Sequence, residues 1–233
     1  MNMLIELGLE RKLLTITGDN ASNNMTMAEV LLESLESRLG IARPLYRGMA
    51  SYIRCLAHIL NLVVQDILSY LKSMTCAQAD RVCDKIQRYG FDTNMDQSVL
   101  GRLSIFAVWV ARSNQRRERW RMACRVRGLS EKFIEQDVVT RWNSTFRMID
   151  DAIRSREQVD NFLHIERDLP AFTDADWDFL GQVALVLGRF ERLTSFLSRR
   201  RPQMSLVVAV YYQLHDIFNN AVKRKGSFRE LHR

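Results

Sequence analysis

Leu13-Leu14-Thr15-Ile16-Thr17-Gly18-Asp19-Asn20-Ala21-Ser22-Asn23-Asn24 holds a strand-like run and then a turn, and its reading decides the fold. The first five residues are apolar or β-branched, and Gly18-Asp19-Asn20 is a turn signal. The expectation is a buried strand that ends at Asp19. Ser22 or Asn23 then caps a helix to about Leu39, with Met27, Val30, Leu31, Ser34 and Leu35 on its inner face. Gly40 stops that helix. A loop over 43–50 carries Pro44 and Gly48, and Tyr52-Ile53-Arg54-Cys55 reads as a second short strand. From Leu56 to about Leu71 the apolar residues Leu56, Ile59, Leu60, Val63, Val64, Ile67 and Leu71 recur at three and four, the spacing of a helix.

Beyond this point every signal is helical. Asn94-Met95-Asp96 reads as a loop. Residues 98–125 read as one helix with Leu103, Phe106, Ala107 and Val110 inward, turning strongly basic in its far half and ended by Gly128. Phe133 to Asp137 is a connector. Ser144 to Glu166 is helical and bounded by Pro170, Asp174 caps a helix through Leu197, and a last helix runs from Ser205 to about Val222 after Pro202. Two strands do not make a stable sheet alone. The fold class expected is mainly α: a partial α/β core of about two strands over residues 1–75, then a large helical region over 76–233. The chain reads as a piece of something larger.

Composition agrees with that. The 233 residues are 47% hydrophobic and 26% charged, enough for a sizeable core and unlike a disordered chain. Pro occurs three times and Gly ten times, which favours long helices over a turn-rich β fold. The net charge is +7 and the pI near 9.5, which suits an anionic partner without requiring one. Of the 34 basic residues, 28 are Arg. Arg grips phosphate bidentately, although a GC-rich genome also yields such a bias. Cys55, Cys76, Cys83 and Cys124 form no CxxC pair and no secretory leader is seen, so free thiols in a reduced setting are expected. Ile59 to Leu68 is too short and polar to span a bilayer, so no membrane partner is expected. Lys223-Arg224-Lys225 is a weak nuclear signal.

Three clusters carry candidate chemistry. Asp19, at the carboxyl end of a strand, stands where many α/β enzymes place a metal-binding acid; the plainer reading of the pattern is that Asp19 and Asn20 shape the turn before a helix. Cys55 and His58 have a zinc-compatible spacing but no second ligand pair, and a packed Cys with a hydrogen-bonded His is the alternative. In Asp137-Val138-Val139-Thr140-Arg141-Trp142-Asn143-Ser144-Thr145, Asn143 or Ser144 can cap the following helix. There Arg141 and Trp142 pair a cation with an aromatic that stacks an unpaired base, or else Trp142 is core and Arg141 solvated.

DNASNN near a strand end, RCLAHILNLVVQDIL about thirty-five residues on, and TRWNST after a helical stretch resemble, in that order, the hAT-superfamily transposases, in particular fungal and plant members of the Activator type. The resemblance spans roughly Leu13 to Asp151. It implies an RNase H-like core interrupted by a helical insertion, with three acids holding two divalent metals, Mg²⁺ or Mn²⁺, against DNA phosphates. Asp19 matches the second of those acids, as catalytic residue and metal ligand. Cys55 and His58 match the family's CxxH motif near the metals. Arg141 and Trp142 match its Arg-Trp, where the Trp assists a DNA hairpin or flipped base.

Two departures accompany the matches. Residues 1–12 are too few to supply the first acid, and no Trp pair with the third acid follows. The BED zinc finger and the dimerisation segment are likewise not seen, which leaves a family-type oligomer open. The resemblance therefore implies a nuclear transposase fragment whose DNA partner is a transposon end, with no stable metal and no catalysis of its own. The alternative is a domesticated, non-catalytic DNA- or protein-binding module. Arg112 to Arg127 holds seven arginines and one acid, and Arg116, Arg117, Arg119 and Arg121 are its candidate DNA contacts. Trp120 within it either stacks or packs, and a solvated helix face is the plainer reading.

Overall fold

The protein is described from a computed structural model, which describes residues 2–37, 40, 44–71, 75–90, 98–137, 142–166, 168–198 and 207–228. The fold is mainly helical with a small two-stranded parallel sheet, consistent with an RNase H-like core plus a helical insertion. The chain groups into two compact units, Met1–Leu62 and Val63–Arg233.

In the first unit, α1 (Asn2–Glu6) precedes β1 (Ile16–Gly18), α2 (Ser22–Ser37), a 3₁₀ turn (Gly48–Ser51), β2 (Tyr52–Arg54) and the start of α3 (Leu56–Tyr70). Ile16 pairs with Tyr52, Thr17 with Ile53 and Gly18 with Arg54. β1 is shorter than the apolar run, which leaves Leu14 exposed before it, and it is only half covered, since among the described residues β2 alone pairs with it. The core here is Ala28, Leu35 and Tyr46, flanked by Leu31, Leu32 and Ile16. The inner face of α2 is therefore Ala28-Leu31-Leu32-Leu35. The expected Met27 and Val30 are 44% and 52% exposed and fall outside that seam. The Tyr46 hydroxyl donates to the Ala28 carbonyl at 3.3 Å, which ties the loop to α2.

The second unit is helical. α4 (Cys76–Tyr89), α5 (Val99–Ala111), α6 (Asn114–Val126), α7 (Trp142–Arg154), α8 (Arg156–Ile165), α9 (Asp174–Leu197) and α10 (Val207–Phe228) follow the rest of α3. Every residue of α5 from Leu103 to Val110 is buried, as expected for a helix apolar all round, and α4, α6 and α9 pack on it. Its Ser104 is satisfied by the Leu100 carbonyl at 3.1 Å. The single helix expected over 98–125 is two, parted at Ser113, whose backbone is extended. Ser155 similarly divides 144–166. The loop read at Asn94-Met95-Asp96 lies outside the described residues.

α9 is capped by Thr173, not by the expected Asp174. The Thr173 hydroxyl accepts from the Asp176 amide at 3.2 Å, while the Asp176 carboxylate accepts from the Thr173 amide and hydroxyl, each at 2.8 Å, and from Arg102 of α5. Burial alone raises the Asp176 pKa, but the Thr173 and Arg102 hydrogen bonds outweigh it and hold the carboxyl below its usual range. A depressed folded pKa stabilises above the ordinary carboxylate range, and that stability is lost as pH falls through the depressed value. Thr173→Ala is thus expected to cost about 1 kcal/mol at neutral pH. Urea melts should show the difference from wild type shrinking in acid, and a pH-independent difference counts against this linkage.

Candidate nucleic-acid interface

At the carboxyl edge of the small sheet, Asp19 follows β1 and Cys55 follows β2, tied by the Cys55 amide donating to the Gly18 carbonyl at 2.7 Å. The Tyr52 hydroxyl donates to the Asp19 carbonyl at 2.7 Å. Gly18 is required by this approach, since a Cβ there would lie 2.2 Å from the Tyr52 hydroxyl oxygen. The Asp19 side chain is exposed, and its Oδ1 accepts from the Ala21 amide at 3.0 Å and from Asn24 Nδ2 at 2.6 Å. That is an Asx-type turn leading into α2. The Cys55 carbonyl takes the first bond of α3 from the Ile59 amide, and His58 lies half-buried in that first turn.

A divalent metal at this edge would need several oxygen ligands. Asp19 offers one carboxylate already engaged in its turn, and the neighbouring Asn20 Oδ1, buried without a partner, adds only a neutral amide oxygen. Among the described residues no group of three His, Cys, Asp or Glu side chains converges to hold a metal. These residues do not fit a two-metal centre.

The basic helix α6 presents a different chemistry. Trp120, Ala123 and Cys124 face inward, so Trp120 packs rather than stacks on a ligand. Most of the arginines have carboxylate partners. Arg112 meets Asp80 and Asp84 of α4, which lowers the Asp84 pKa through the Arg112 hydrogen bond. Arg119 binds Glu166 at 2.8 Å, Arg121 binds Glu118 at 3.2 Å, and Arg127 lies 3.6 Å from Glu157. Arg125 holds Glu131 by two bonds, at 2.7 and 3.1 Å, which push the Arg125 pKa up and the Glu131 pKa down. The Arg116 guanidinium carbon lies over the Trp109 ring, 3.4 Å from its centroid. Burial lowers the Arg116 pKa against the pull of Glu166 and Asp168. Arg117 keeps its Nε buried and without a hydrogen-bond partner.

Trp142 opens α7 and is 4% exposed, so its ring is packed, and Asn143 and Ser144 lie inside the helix rather than capping it. Arg141 lies outside the described residues. Sequence reasoning missed the acceptor beneath this turn: Asp137 Oδ1 takes hydrogen bonds from Ser144 Oγ at 2.7 Å and Thr145 Oγ1 at 2.9 Å. It also missed α4, although Thr75 and Gln78 form a capping box before an apolar seam at Ala79, Cys83 and Ile86. Glu166, the buried partner of Arg119, gave no signal, since its contact is made across 47 residues of sequence.

Residues 53–185, more than half of the chain, match the family described as the ZBED1 RNase-like helical domain. The chain is 28% identical to the "Putative transcriptional regulator tpeD" of Talaromyces stipitatus, over 99% of this chain and 27% of that protein. It is 26% identical to the "Putative AC transposase" of Zea mays, over 84% of this chain and 21% of the relative. It is 23% identical to the human "Zinc finger BED domain-containing protein 4", over 75% and 13%. The chain thus spans about a quarter or less of the length of these curated relatives. No solved structure matches. No described helix is long and apolar enough to cross a membrane.

Proposed function

The chain belongs to the ZBED1 RNase-like helical domain family, distantly homologous to hAT-superfamily transposases and BED-zinc-finger proteins, and on that premise we propose that it is a nuclear DNA-contacting module without metal-dependent catalysis of its own. The observation that carries this is the arginine row of α6. Its ion pairs are mostly exposed, and exposed pairs contribute little. A DNA phosphate can replace Glu118 or Glu131 as the partner at small cost. Arg125 already holds its carboxylate in the two-bond geometry that phosphate also accepts. Arg116, Arg117, Arg119 and Arg121 are the proposed DNA contacts. Arg141 and Trp142 are assigned to a distorted end of the DNA, where Trp142 must first leave its packed position. Asp19, Cys55 and His58 are assigned to the sheet edge as the remnant of a catalytic centre. An intact transposase module, loaded with Mg²⁺ or Mn²⁺ and acting as an oligomer on transposon ends, is the second reading, favoured by the resemblance of Asp19 and its turn to the hAT motif.

Duplex and hairpin DNA binding across a salt series is the test. Contacts from four α6 arginines predict a slope of log K against log salt of about −3 to −4. Arg117→Gln with Arg121→Gln, neither of which holds a buried carboxylate, should lower that slope by about 2 without unfolding the chain. A slope unchanged by the pair removes α6 from the interface, and no binding at low salt overturns the DNA reading. Metal-dependent strand cleavage lost in Asp19→Ala would establish the second reading instead.

A further inference from the structure

Where α5 gives way to α6, Glu166 and Asp168 help line a polar cleft of about 440 Å³. Its walls include Arg112, Ser113, Arg116, Arg119, Glu166 and Asp168. That size accommodates a single small ligand. The start of α6 also lines the cleft, and the first main-chain bond of that helix is made by Arg117 to the Ser113 carbonyl. The amides before it have no helical acceptor. Ser113 has the extended backbone of a cap, but its hydroxyl makes no capping bond, and no acid stands in the first turn. The positive end of this 13-residue helix is therefore left without an anion.

The side chains add to that field unevenly. Arg112 is neutralised by Asp80 and Asp84, and Arg119 by Glu166, whose side chain is only 8% exposed. Arg116 has no such carboxylate bond. Its guanidinium carbon sits over the Trp109 ring, and partial burial lowers its pKa. A planar cation backed by an indole offers its free face to a base and its edge to an oxyanion. Among the described lining residues Asp168 is the one exposed acid, and it opposes an anion.

We propose that this cleft is a phosphate site sized for one nucleotide, with the phosphate on the α6 amides and Arg116 and the base over the exposed Arg116 face. It rests on the nucleic-acid reading only for where the phosphate comes from, a strand end or a free nucleotide.

Titration of the whole chain with dAMP, deoxyadenosine and inorganic phosphate at low salt tests it. dAMP should bind saturably, be displaced by phosphate, and lose its affinity when the phosphate is removed. Ser113→Asp places a carboxylate on the same amides: the melting temperature should hold or rise, as for a good cap, while dAMP binding weakens roughly tenfold or more. Asp168→Asn should tighten it severalfold. A folded Ser113→Asp chain that binds dAMP as wild type does, or a folded wild type that binds none, overturns the site. Short single strands with and without a 5′-phosphate, competed against dAMP, separate a strand end from a free nucleotide, and either supports the site. Duplex binding with its salt slope intact in Ser113→Asp leaves the DNA reading standing on its own.

Discussion

Trp120→Ala is expected to destabilise the helical unit by about 3–5 kcal/mol, a large part of the stability of an ordinary domain. Trp120 is 1% exposed although it sits in the most basic stretch of the chain. Its ring meets Phe106 of α5 at 5.8 Å and Phe162 of α8 at 5.7 Å, and those two meet each other at 5.9 Å, all edge to face. Each of three helices supplies one ring, so removing the largest opens a void at the point where α5, α6 and α8 join. Collapse is limited, because α5, which carries Phe106, is also held by α4 and α9. Trp120→Phe should cost much less. It keeps an aromatic edge and also removes an indole N–H that is buried without a partner. Urea unfolding followed by circular dichroism measures both. If Trp120→Ala melts at the wild-type midpoint yet loses DNA binding, Trp120 is a ligand-stacking residue and the packing account of α6 fails.

Trp120 also shows where the sequence was legible and where it was not. The short strand-like runs at 13–17 and 52–55 and the three-and-four spacing at 56–71 located β1, β2 and α3, because each is a local property of chain chemistry. What remained hidden depends on long-range contact. Met27 and Val30 are as apolar as Leu31 and Leu35, and only the position of Tyr46 selects Ala28-Leu32-Leu35 as the buried seam. The seven arginines of 112–127 suggested a bare positive surface. Their partners Asp80, Asp84, Glu131, Glu157 and Glu166 come from other segments and cancel much of it. Conversely, α4 and the Thr173 cap were within reach of local rules, since each begins with a Thr followed three residues later by a side chain that returns the bond. At the sheet edge the motif gave Asp19 its place after β1, while the use of its carboxylate in a turn is visible only from the atoms.

Asp137→Ala is the second large effect expected, about 2–4 kcal/mol from the loss of two hydrogen bonds to a buried charge. Asp137, Ser144 and Thr145 are all buried. One carboxylate oxygen receives both hydroxyls, at 2.7 and 2.9 Å, and so fastens the connector after α6 to the first turn of α7. Both hydroxyls belong to the first turn of α7, the end of a helix that favours an acidic neighbour. Asp137→Asn keeps an acceptor in place and should lose only part of this, chiefly the charge-assisted share. In a Ser144→Ala, Thr145→Val background the hydroxyls are gone, and the further change Asp137→Ala should then cost far less than it does in the wild type. Equal costs in the two backgrounds would show that the carboxylate acts elsewhere. The same clasp sets the start of α7, and with it Trp142, so it bears on the proposed role at DNA ends. If the clasp holds Trp142 packed until DNA distorts it, the milder Asp137→Asn variant should remain folded and bind hairpin DNA more tightly relative to duplex than the wild type does. A hairpin-to-duplex ratio unmoved in a folded Asp137→Asn chain would leave Trp142 as a core residue alone.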